Sequence, residues 1–169
     1  MGQTSAMSSK DLREAMQLSR TVDLYYNSEV WQNVMRKLMS AYQDFLAYFT
    51  GHLKEMMVLD SPVSLERRGV IIYEYCREHY PEMLPEVSVA WIQAGFSLKK
   101  ELAGNVVKIK HPEAFLNENK LELEPIYGEP TPTHRYYLFS ADGRRILFGY
   151  DTETHQPEPV CRIDLMQKQ

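Results

Sequence analysis

Residues 134–151 read HRYYLFSADGRRILFGYD. Two strand-prone runs flank Asp142-Gly143, a dipeptide that readily takes the positive φ angles a two-residue hairpin turn needs. With that pair as the turn, Ala141 is expected opposite Arg144. Counting outward, Phe139 pairs with Ile146, Tyr137 with Phe148 and Arg135 with Tyr150. Directly opposed residues share a face, so this aromatic face is the expected core face. The other face carries Ser140 with Arg145, Leu138 with Leu147, Tyr136 with Gly149 and His134 with Asp151. A slip of one residue would exchange the two sets.

Further strands surround the hairpin. Val160–Met166 alternates, with Cys161, Ile163 and Leu165 on one side. Val106–Lys110 reads as a short strand, and His111-Pro112 as the start of a loop. Leu121–Glu124 alternates too, with Pro125 confining it to an edge or a bulge. Gly128–Thr133 is a loop within the sheet region. Residues 105–169 therefore predict four to five antiparallel strands.

Before residue 105 the period is that of helices. Ser8 and Ser9 cap a helix over about 10–26, with Leu12, Met16 and Ser19/Arg20 along one side. From Ser28 to Met57, Trp31, Val34, Met35, Leu38, Tyr42, Phe45, Phe49, Leu53 and Met56 recur at steps of three or four. This predicts one continuous helix roughly 45 Å long, with Gly51 the place where it could bend. Asp60-Ser61-Pro62 opens a third helix over 62–79. A fourth runs from Pro85 to Leu102 and stops at Gly104-Asn105. The expected fold is α+β: about four N-terminal helices, one of them long, packed on a C-terminal antiparallel sheet. Residues 1–8 are expected to be a flexible tail and 9–169 a single domain, helical over 9–104 and sheet over 105–169.

The composition is ordinary for a globular chain of 169 residues, with 44% hydrophobic and 25% charged residues. Lys and Arg number 19 against 23 Asp and Glu, a net charge of -4. Residues 1–104 and 105–169 carry -2 each, so neither part is a basic platform for a phosphate backbone. Nucleic acid is accordingly not the expected partner, and no apolar run is long enough for a membrane span. The two cysteines, Cys76 and Cys161, form no disulfide framework or zinc motif and suit a reducing compartment. The N-terminus has no apolar signal region. A cytoplasmic location is expected, with no metal and no cofactor. Glycine-rich phosphate loops are absent, and no stretch carries a family fingerprint.

Two functional expectations follow. The first rests on the helix over 28–57, whose apolar face is wider than one neighbouring helix can cover and is rich in methionine, a residue common on adaptable binding surfaces. It predicts a non-catalytic accessory subunit or adaptor. This would bind another protein, or a second copy of itself as a homo-oligomer, through Trp31, Met35, Leu38, Met39, Tyr42, Phe45, Phe49 and Met56. The second is a small metal-free, nuclease-like hydrolase. There Asp151 orients His134, His155 follows four residues beyond Asp151, Arg145 neutralises a developing anion and Tyr136 donates a hydrogen bond. Cys76 and His79, one helical turn apart, form a weaker nucleophile–base pair. Nothing in the residue pattern decides between enzyme and binding protein.

Overall fold

In the computed structural model, which describes residues 7–119, 132–154 and 156–165, a helix-rich first part precedes a sheet-rich second part, so the fold class is α+β. The described residues form seven α-helices and one four-stranded antiparallel sheet. The chain divides into two compact units, Met1–Tyr75 and Cys76–Gln169. Among the described residues, no helix is long and apolar enough to cross a membrane.

In the first unit, the Ser8 hydroxyl accepts from the Asp11 N–H at 3.0 Å and opens helix α1, Ser9–Thr21. The helix continues into a single π-helical turn, Val22–Tyr26. The long helix expected over 28–57 is instead two helices, α2 (Gln32–Ala41) and α3 (Phe45–Glu55). The chain leaves helical geometry at Tyr42, with φ -130° and ψ 108°, and Gly51 lies inside unbroken α3. The reason is size. A 75-residue unit has a radius of gyration of roughly 11 Å, or a diameter of about 29 Å, and a straight rod of about 45 Å would carry about a third of its length beyond it. Breaking the rod lets Trp31, Met35 and Leu38 of one half and Phe45, Phe49 and Leu53 of the other reach full burial.

The cover over α3 is aromatic. Tyr25 meets the Phe49 ring edge-on at 5.0 Å, Phe45 stacks on Phe49 at 5.2 Å, and Tyr75 lies 5.0 Å from Phe49. Tyr75 belongs to helix α4, Leu65–His79. This helix begins later than Pro62, because Ser64 rather than Ser61 supplies the cap, accepting from Arg67 N at 3.1 Å. Arg68 ties the irregular segments together: it donates to the carbonyls of Leu24 and Val63, while Tyr25 Oη donates to the Arg68 carbonyl at 2.9 Å. Trp31 Nε1 likewise donates to Leu65 O.

In the second unit, a 3-10 turn at Pro81–Met83 leads into α5, Leu84–Gln93. The fourth helix was expected to reach Leu102. It ends nine residues earlier because Gly95 takes a left-handed φ of +81°. Trp91 then holds the following segment back, donating from Nε1 to Ser97 O at 2.9 Å and packing edge-on against Phe96. Residues Lys100–Ala103 form a separate short helix, α6.

Strand β1 (Val106–Ile109), β2 (His134–Ala141), β3 (Arg144–Asp151) and β4 (Cys161–Leu165) form the sheet in the order β1-β2-β3-β4. The hairpin register is the expected one at every pair, from Ala141 opposite Arg144 to His134 opposite Asp151. Asp142 and Gly143 take φ of +51° and +74°. The loop expected from His111 is helix α7, Pro112–Glu118, with Pro112 at its first position. The expected strand Leu121–Glu124 and the end of β4 at Met166 lie outside the described residues.

Helix α7 changes the sheet's second face. Phe139, Ile146, Phe148 and Tyr150 are buried on the aromatic face, as expected. On the opposite face Tyr136, Leu147 and Cys161 are buried as well, in one cluster with Leu116 of α7 and flanked by Phe115, Ile109 and Ile163. Gly149 makes that packing possible. A Cβ there would stand 2.8 Å and 3.0 Å from the Tyr136 ring and 3.1 Å from Cys161 Sγ. Gly149→Ala is expected to destabilise the fold by about 1–3 kcal/mol, since neither neighbour has room to yield. Gly51→Ala in α3, where nothing lies within 4 Å of the added carbon, should stabilise it by about 0.5–1 kcal/mol. Urea unfolding midpoints check both signs.

Candidate functional site

The hairpin turn sets where every candidate catalytic residue falls. His134 and Asp151 are paired at the open end, both half-buried. That end is closed by Thr152, whose N–H and hydroxyl both donate to Thr133 O, at 3.0 and 2.9 Å. Asp151 Oδ1 accepts from Glu153 N at 2.9 Å, so one carboxylate oxygen is already held by the turn. The His134 ring stands edge-on to Tyr136, with centroids 6.3 Å apart.

Of the remaining members, Tyr136 adjoins His134 but is buried, and Arg145 is remote. Arg145 pairs with Ser140 near the turn, six residues along the strand from Asp151, which is about 20 Å at 3.4 Å per residue. It cannot neutralise charge developing at His134. Tyr136 lies in the α7-covered cluster at 4% exposure. Burial, with the neighbouring Cys161 adding to it, pushes its phenol up to about 12. His155 lies outside the described residues. The structure thus brings His134 to Asp151, with the buried Tyr136 ring beside His134, and keeps Arg145 apart; the described residues contain no cluster of three or more His, Cys, Asp or Glu that could hold a metal ion.

The thiols are equally withdrawn. Cys76 is fully buried, and burial pushes its thiol up to about 12, while His79 one turn away is exposed. Burial also pushes Cys161 up to about 11, against a hydrogen bond from the Gly149 backbone. Neither supports a thiolate nucleophile. On the aromatic face, Tyr150 Oη is buried and its phenol is pushed far up, by burial first and by Glu86 and Glu158 next, so it stays protonated. Arg162 of β4 reaches Glu86 of α5 as an ion pair on this same face.

The expected partner-binding face is mostly sealed. Trp31, Met35, Leu38, Phe45 and Phe49 are at 0% exposure, Phe45 and Phe49 beneath Tyr25 and Tyr75 of the same unit. Only Met39, Tyr42 and Met56 of that set keep surface. The expectation of a continuous docking face on 31–56 is corrected accordingly: its width is what closes this unit's own core.

Among the described residues, exposed large hydrophobics are scattered (Tyr48, Met57 and Val107 among them), and two of them are neighbours one turn apart on α1. Leu12 is 52% and Met16 62% exposed, and Ala15 and Ser19 beside them are exposed too. Lys10, Arg13 and Glu14 are exposed as well, and α1 becomes covered at its C-terminal end, where Gln17, Leu18 and Arg20 are half-buried. Thr21 is fully buried there, accepting a hydrogen bond of 2.8 Å from Thr50 Oγ1 and donating to Gln17 O at 3.1 Å. Leu12 and Met16 are turned outward. The stripe of Leu12 and Met16 was visible in the sequence. Its direction was not, because periodicity gives the faces of a helix and not which one meets the core.

No protein-family profile, curated protein or solved structure matches this chain.

Two outcomes follow from the buried thiols. Ellman reagent should leave both cysteines of the native protein unmodified at pH 8 and titrate both in denaturant; rapid labelling of the native protein would contradict their burial. Because the fold raises the Cys161 and Tyr136 values, it holds these groups protonated. The contribution of Cys161 is complete below the ordinary thiol value near 9 and is lost as pH rises through about 11, and that of Tyr136 is complete below the ordinary phenol value near 10 and is lost through about 12. The urea midpoint should therefore fall over that range, less steeply in Cys161→Ala.

Proposed function

We propose that this chain is a non-catalytic, protein-binding accessory subunit or adaptor, and that it receives a helix of another protein on the outward side of α1. The observation that carries this reading is the exposed apolar pair on α1: Leu12 and Met16, one helical turn apart, stand in water at 52% and 62% exposure. Large side chains spaced i, i+4 with small Ala15 and Ser19 beside them form a ridge of the kind that seats in a helical groove. Covering each one is worth roughly 1–2 kcal/mol, which suits a modest, reversible contact. A reducing compartment such as the cytoplasm fits the two free, buried thiols. The hydrolase alternative has the His134–Asp151 opposition in its favour, while Arg145 is remote along the strand and Tyr136, though beside His134, is buried.

A photo-crosslinking residue in place of Met16, introduced in the native host, is expected to yield a covalent adduct with a different protein. Leu12→Asp in the same chain should abolish the adduct and shift stability by less than about 0.5 kcal/mol, because the site is exposed. Absence of an adduct, or an adduct indifferent to Leu12→Asp, would overturn the reading. An adduct of twice the chain's mass would replace the foreign helix with a second copy.

A further inference from the structure

We draw no further inference here: the strongest candidate, the buried Tyr150 hydroxyl beside the Glu86–Arg162 ion pair where α5 packs on the sheet, belongs to the aromatic core face already described, and nothing in the structure shows what would reach it.

Discussion

The buried hydrogen bond between Thr50 of α3 and Thr21 of α1 decides which way the first helix faces. Both hydroxyls are out of water, and at 2.8 Å each satisfies the other's need for a partner. A buried hydroxyl without one would cost on the order of 1–3 kcal/mol, so the helix cannot rotate freely about its axis. At 100° per residue, Leu12 lies about 180° round from Thr21 and Met16 about 140°. Lys10 and Glu14 lie within about 20° of Thr21, and Gln17 within about 40°. Once Thr21 is buried, Leu12 and Met16 are carried to the side of α1 away from it and face water, while half-buried Leu18 lies on the Thr21 side.

In the second unit the comparable constraint is the turn at Asp142-Gly143. Its positive φ angles set the register, and the register sets everything along both strands. It brings His134 to Asp151, and by the same count it holds Arg145 six residues away. It also places Gly149 opposite Tyr136, so that the ring lies where a Cβ would otherwise be and the second face can close beneath α7. A sheet buried on both faces is a poor platform for solvent-exposed acid–base chemistry. The pair at the open end of the hairpin is what remains beyond that cover.

Legibility in the sequence followed the range of the forces involved. The hairpin could be read to the residue pair, because a two-residue turn leaves only one register. The start of α1 was legible for the same reason, as caps act within a few residues, whereas Gly104 stops the short α6 and the helix from Pro85 ends at Gly95. Helix α7 was open to the same reading, since Pro112 at a first helical position with Glu113 beside it is a start signal; taking His111-Pro112 as a loop missed it. The break at Tyr42 was not legible. Residues 40–44 contain neither glycine nor proline, and the helical stripe runs through them without a change of phase. Only the limited reach of a 75-residue unit makes an unbroken rod untenable.

The amino-acid sequence by itself determined the α+β class, the hairpin and its pairing, the amphipathic character of the first helix, and the balance of charge. These depend on steric preferences and periodicities that act between near neighbours. The tertiary structure alone decided that the broad apolar stripe of 31–56 serves this chain's own core, and that α1 turns Leu12 and Met16 outward. Both are competitions between distant surfaces for burial. Their outcome depends on which side chains meet, such as Tyr25 and Tyr75 over Phe49 or Thr50 against Thr21, and no local pattern encodes that meeting.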